Sequence, residues 1–273
     1  MANFLKVLTG PRKPTINVVR MTGVIQAANS PRHQLINFER FNKPLERAFR
    51  AHNVKAVALE INSRGGSATQ SNLIWKRVRQ LKKETGVPVV AFLEDVAASG
   101  GYYLACSADK IVADENSMIG SIGVIFASFG AKEAISKLGL ERRVYTAGES
   151  KAMLDPFSDE KKEDVEKINE LLLHCHENFI SVVEKSRGER LQDPTGNELY
   201  SGRIWSAKKA LEVGLIDHIA DRHSFCYEHF GEGIQFRYFN PRGMGMLDFP
   251  FGAKAGVSIE EIIGHRLPSL ISS

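Results

Sequence analysis

Ala97-Ala98-Ser99-Gly100-Gly101-Tyr102-Tyr103 follows closely on the apolar run Val87-Pro88-Val89-Val90-Ala91-Phe92-Leu93. An apolar run of strand length that gives way to small residues and then to a helical stretch reads as strand, tight turn and helix. Small residues on both sides of Ser99 let a substrate backbone approach its hydroxyl. The glycine amides beyond it lie at the positive end of the helix, where developing negative charge is favoured. That is the layout of a nucleophilic serine. The same residues have a plainer use, since Ser is an ordinary N-cap and Gly-Gly an ordinary turn. This segment alone leaves both readings open.

The pattern recurs upstream. An apolar run over 54–61 ends in Asn62-Ser63-Arg64-Gly65-Gly66, and a helix over 71–84 follows with Leu73, Ile74, Val78 and Leu81 on one side. A first strand is expected over 16–25 and a helix over 38–51. Further strands are expected at 110–113, 120–126, 142–146 and 215–220. Helices are expected at 132–138 and 206–213, with a long amphipathic one, capped by Ser158 or Asp159, running to about Lys185. Alternating strands and helices with continuous apolar strands predict an α/β fold, a largely parallel sheet flanked by helices. Such sheets bind ligands at the carboxyl ends of their strands. Gly65-Gly66 and Ser99 are therefore expected to meet, although 33 residues separate Gly66 from Ser99. The domain reading is an N-terminal arm over 1–15, one domain over 16–222, and a C-terminal arm over 223–273 that is either flexible or docked on a neighbour.

Composition excludes several classes. The 36 basic and 32 acidic residues of the 273-residue chain leave a net charge of only +4. Its densest basic run (Lys76, Arg77, Arg79, Lys82, Lys83) follows the polar face of one helix, so no nucleic-acid partner is expected. Cys106, Cys175 and Cys226 are too few and too scattered for a disulfide framework or a zinc site, which suits a reducing compartment. No stretch reads as a secretion signal or a membrane span, which predicts a cytoplasmic protein whose contact with the inner membrane, where it occurs, is peripheral.

A serine hydroxyl needs a base. Among the eight histidines, His218 or His223 would satisfy the chain order of an α/β-hydrolase, but the nucleophile lacks the Gly-x-Ser-x-Gly elbow. Lysine is the other candidate. Gly148-Glu149-Ser150-Lys151-Ala152-Met153-Leu154-Asp155-Pro156 places Lys151 among small and apolar residues. An ordinary lysine is a free amine in only one molecule in about 2,500 at neutral pH, and burial in an apolar site raises that fraction. Taken alone, Lys151 reads as one more surface lysine.

Together, Asn62-Ser63-Arg64-Gly65-Gly66, Ala97 to Tyr103, Ala108-Asp109-Lys110-Ile111-Val112-Ala113, Gly120-Ser121-Ile122-Gly123-Val124-Ile125 and Gly148-Glu149-Ser150-Lys151 resemble the signal peptide peptidase A family. The resemblance spans Ile16 to Ile219. Its members are serine peptidases with a Ser-Lys dyad on the repeated ββα superhelix shared with Clp protease and crotonases. The resemblance implies Ser99 as nucleophile and Lys151 as general base, with Ser121 orienting the lysine amine. It implies the backbone amides of Gly66 and Gly100 as the oxyanion hole, with Gly65 the weaker candidate. No cofactor or metal is implied. It further implies peptide substrates and a homo-oligomeric ring or dome in which Ser99 of one copy meets Lys151 of the next. Arg64 departs from the proline common at this position, and the membrane anchor of many relatives is not seen. Two rival readings share the fold. One is a crotonase-like acyl-CoA enzyme working through Glu94 and Asp95, the other a scaffold with a silent site. Met118, Ile119, Ile122, Val124 and Ile125 read either as an apolar substrate pocket or as core strand.

Overall fold

Val57, Leu59 and Ile61 pack with Val19, Met21, Val89, Ala91 and Leu93 in one buried cluster, whereas Ala56, Ala58, Ile16, Val18, Val90 and Phe92 belong to another. This period-two split is that of strands covered on both faces, and it explains why their sequences run apolar without interruption.

The computed structural model describes residues 13–27, 35–192 and 198–241. In chain order these form β1 (Thr15–Thr22), β2 (Val24–Ile25), β3 (Leu35–Ile36), α1 (Phe38–Phe49), β4 (Val54–Ser63), α2 (Ala68–Thr85), β5 (Val89–Ala98), α3 (Gly100–Ala105), β6 (Lys110–Ala113) and β7 (Met118–Gly120). There follow α4 (Lys132–Lys137), α5 (Lys162–Arg187), β8 (Ile204–Ser206), α6 (Ala207–Glu212), β9 (His218–Ile219), α7 (Arg222–Phe230) and β10 (Gln235–Tyr238). The main sheet runs β10-β1-β4-β5-β6-β9, all parallel, while β7 adds to the carboxyl half of β5 and pairs with β8, the antiparallel member. Helices α1 to α3 cover the first cluster, and Phe225 and Cys226 of α7 cover the second. The expected fold class, a mostly parallel sheet flanked by helices, holds. Among the described residues no helix is long and apolar enough to cross a membrane.

Local chemistry sets the boundaries. α2 starts at Ala68, three residues before the expected start, because the Ser67 side chain accepts the Gln70 N–H; it stops at Gly86, whose φ of 70° a side chain would resist. β5 does not end at Leu93 but runs on to Ala98, because Val96 to Ala98 pair with β7 and Ala97 with Ser63 of β4; on the way Glu94 accepts from Arg20 (2.8 Å) and Asp95 from Asn62 (2.7 Å). The strand expected over 120–126 is only the end of β7, stopped where Gly120 (φ 102°) and Ser121 (φ 51°) turn left-handed. No strand forms over 142–146, where every residue is exposed. The expected strand over 215–220 shrinks to His218–Ile219, and α5 begins at Lys162 rather than near 158. The fold also continues past residue 222, because α7 packs on the sheet and β10 pairs with β1. The rest of the expected C-terminal arm, 242–273, and residues 1–12 of the N-terminal arm lie outside the described residues.

Away from the carboxyl ends, a buried pair anchors the sheet to α5. Arg187, 1% exposed, donates to Asp217 Oδ2 (2.8 Å) and to the Gly214 carbonyl (2.8 Å), and Asp217 also accepts the Ile111 N–H. Burial alone would raise the Asp217 carboxyl, but the hydrogen bond and charge of Arg187 outweigh it and hold it below the ordinary range.

Candidate active site

Ser99 stands between the last residue of β5 and the first of α3 at φ 52°, ψ −123°. Non-glycine residues reach this region only under constraint. Its side chain forms no capping hydrogen bond, so the plainer N-cap use is not realised, and no hydrogen bond of the hydroxyl of this half-buried residue is seen among the described residues. The backbone does the anchoring: the Ser99 N–H donates to the Gly120 carbonyl (2.7 Å), and the Ser99 carbonyl accepts from Tyr103 (2.9 Å).

The glycine loop after β4 lies against this corner. A Cβ on Gly65 would sit 2.7 Å from Gly100 N and 2.8 Å from Ser99 Cβ; one on Gly101 would sit 2.4 Å from the Ser63 carbonyl. Only bare backbone fits, and Gly65-Gly66 and Ser99 meet as the strand topology predicts. The two loop amides differ. Gly65 N–H donates to Ser63 Oγ (3.1 Å). Ile25 exchanges its backbone bonds with Gly65 and Ser67, so Gly66, between them, turns its amide away from Ile25. Gly66 is exposed and Gly65 buried. Arg64 is exposed too, and the Ser63 hydroxyl braces the turn by accepting the Gly65 N–H.

Ser121 joins the same corner, since Gly120 pairs with Ala98 across β5 and β7. Ser121 itself sits at φ 51° with its N–H donated to the Arg203 carbonyl (2.7 Å). Lys151 is exposed in a turn closed by its own N–H on the Gly148 carbonyl (3.2 Å), and no hydrogen bond of its side chain is seen among the described residues. The surrounding segment displays large apolar side chains, with Ile125 87%, Phe129 71%, Leu138 74% and Tyr145 90% exposed. Ile119 and Ile122 are core residues, while Met118 and Ile125 are exposed.

The sequence profile of Peptidase family S49 matches residues 81–227, more than half of the chain. The chain belongs to this family. The resemblance read from the motifs is thereby borne out. Among S49-type relatives, the chloroplastic serine protease SPPA of Arabidopsis thaliana is 31% identical over 216 residues, covering 78% of this chain and 31% of that protein. A Brucella abortus protein named Na(+)/H(+) antiporter NhaA is 42% identical over 227 residues, 83% of this chain but 31% of its own length. The chain thus spans about a third of these relatives, and the transport activity in the second name is not carried over to it. The fold is shared with the 1510-N membrane-bound stomatin-specific protease (TM-score 0.53, 16% identity, 85% of this chain and 94% of that one), solved as a lysine-to-alanine variant in complex with a substrate peptide.

The other candidate groups are engaged away from Ser99. His218 stacks near Phe225 and His229, and His223 packs on Phe236 at 4.9 Å, all in the aromatic layer of α7. Glu94 and Asp95 hold the partners named above. The sequence reading assigned nothing to Ser63, whose hydroxyl commits one loop amide, or to Arg203 and Trp205 of the β8 region. Ser63 was visible within its motif, but a three-residue strand carries no periodicity to read.

Proposed function

We propose that the chain is a serine peptidase that cleaves peptides through Ser99 and Lys151. The observation that carries it is Ser99 itself: a non-glycine residue in a constrained left-handed conformation, its hydroxyl excluded from capping, pressed against a glycine loop. Ser99 Oγ attacks the peptide carbonyl, and its proton passes to the uncharged Lys151 amine and on to the leaving amine. Water then releases the acyl group, with Lys151 taking and returning the proton again. The amides of Gly66 and Gly100 serve the oxyanion, each worth about 3–4 kcal/mol. Gly65 is a poor third, since its N–H is held by Ser63 Oγ. Ser121 orients the lysine.

Lys151 is supplied by a second copy of the chain. The exposed apolar segment around it supports this, because apolar patches beyond a few hundred Å² mark interaction surfaces. A ring or dome of copies, acting on peptides such as signal-peptide remnants, fits both features. The engagement of Glu94 by Arg20 and of Asp95 by Asn62, on the neighbouring strands β1 and β4, speaks against an acyl-CoA enzyme.

Labelling with a fluorophosphonate probe tests the nucleophile. Ser99→Ala is expected to abolish labelling and to lower peptide hydrolysis roughly a millionfold. Mixing Ser99→Ala with Lys151→Ala chains is expected to restore part of the activity. No recovery after verified subunit exchange overturns the shared site; turnover of a CoA thioester without peptide cleavage overturns the peptidase.

A further inference from the structure

We propose that strand β8 is the positioning element of this site, with Trp205 and the Arg203 backbone clamping the corner Gly120-Ser121 on which Ser99 hangs. Its consequence for catalysis rests on the serine peptidase reading; the clamp itself does not.

Three residues of this corner hold left-handed backbone: Ser99 at φ 52°, Gly120 at 102° and Ser121 at 51°. Strained conformations persist only where the surroundings over-determine them. Two hydrogen bonds of 2.7 Å chain them together, from Ser99 N–H to the Gly120 carbonyl and from Ser121 N–H to the Arg203 carbonyl. What fixes Gly120 is Trp205. A Cβ on Gly120 would fall 2.7 Å from Trp205 Cδ1 and 3.1 Å from the Arg203 carbonyl, so the indole edge lies directly on the glycine. The ring is fixed in turn. Its strand pairs Trp205 with Ile119, and the Arg203 guanidinium lies 4.5 Å from the ring centroid while also bonding Glu198 (2.5 Å). From Arg203 to Ser99 the contact is continuous.

The indole N–H points to the same conclusion. Trp205 is 3% exposed, yet its Nε1 has no hydrogen-bond partner among the described residues. A buried unpaired donor opposes folding, so what tryptophan contributes here is the ring and its edge. Phenylalanine keeps a ring carbon at the Cδ1 position; leucine does not.

The test uses the full chain and four variants, Trp205→Leu, Trp205→Phe, Arg203→Ala, and Phe225→Leu as a control in the opposite core layer. Two readouts are taken, hydrogen exchange at the Ser99 and Ser121 amides and the rate of fluorophosphonate labelling of Ser99. Trp205→Leu is expected to speed exchange at both amides and to slow labelling by up to about a hundredfold, the loss that a misplacement of about 1 Å brings. Trp205→Phe is expected to stay close to the unmodified chain, and Phe225→Leu to leave both readouts unchanged. If Trp205→Leu does not fold, Arg203→Ala, which unstacks the ring without touching the core, is expected to move both readouts the same way by less. Unchanged exchange in the folded variant overturns the clamp, and so does a phenylalanine variant as impaired as leucine, which would assign the role to the N–H. A chain that no probe labels removes the peptidase reading instead, and the exchange data still decide the clamp.

Discussion

The Ser99 corner and the segment carrying Lys151 belong to one chain and are held in opposite ways. The corner is wedged between main-chain atoms of the glycine loop and β7, with strained φ angles that only a packed setting sustains. The segment from 125 to 152 is almost wholly exposed, and it turns Ile125, Phe129, Leu138 and Tyr145 to the outside. One half of the proposed dyad thus sits in a packed corner of the fold, and the other stands on a surface whose apolar groups are exposed among the described residues. The difference teaches that the packed, strained backbone and the exposed apolar surface occupy separate stretches of the chain, as the proposed shared site requires.

The largest effect that would sharpen this division is expected from Lys151→Ala, which should lower peptide hydrolysis about 10²–10⁴-fold, the usual worth of a general base. Melting of the individual chain should be unchanged, since Lys151 is exposed. A large loss of stability would break the comparison by tying Lys151 to the core.

Next comes the buried Arg187–Asp217 pair, away from the corner. Asp217→Asn leaves Arg187 buried without its counter-charge and is expected to cost about 3–5 kcal/mol in chemical denaturation. The acid dependence has a definite sign. The Asp217 carboxyl is lowered in the folded chain, so its contribution is complete above the ordinary carboxylate range and is lost as pH falls through the lowered value. The gap between the two proteins in chemical denaturation should therefore be full at neutral pH and narrow progressively as the pH is taken down through the lowered value.

A smaller effect is expected on the exposed side. Tyr145→Asp or Ile125→Asp should weaken self-association about tenfold to a hundredfold, the equivalent of roughly 1.5–3 kcal/mol of lost apolar burial. Sedimentation velocity would show it, with the stability of the single chain unaffected. The smallest effect is chemical. Cys106 and Cys226 are buried, with thiols pushed up to about 12 by burial, and Cys175 is exposed. Iodoacetamide at mildly alkaline pH should therefore modify one thiol per native chain, counted by intact mass; two or three would show that the core opens.

Much of the fold was legible because both sheet faces are covered. Ala56 to Ile61 and Val89 to Leu93 carry burial on every residue, and the topology rule then brought Gly65 and Ser99 to one place. The failures have physical causes. Residues 142–146 have a strand-like pattern that serves a surface rather than a ladder. β10 pairs with β1 from the other end of the chain, a contact no local pattern encodes. Glu94 and Asp95 looked like a strand end because their partners, Arg20 and Asn62, come from other strands. Trp205 and Arg203 act through a three-residue strand, too short to announce itself.

The bare main chain at positions 65, 66, 100 and 101 leaves the reactive corner without adjustable parts. A single added methyl group at any of them would need space already filled, within 2.1 to 2.7 Å, by neighbouring atoms. In the proposed peptidase, room for variation is therefore left to side chains at the rim, such as Arg64, which stands in the open.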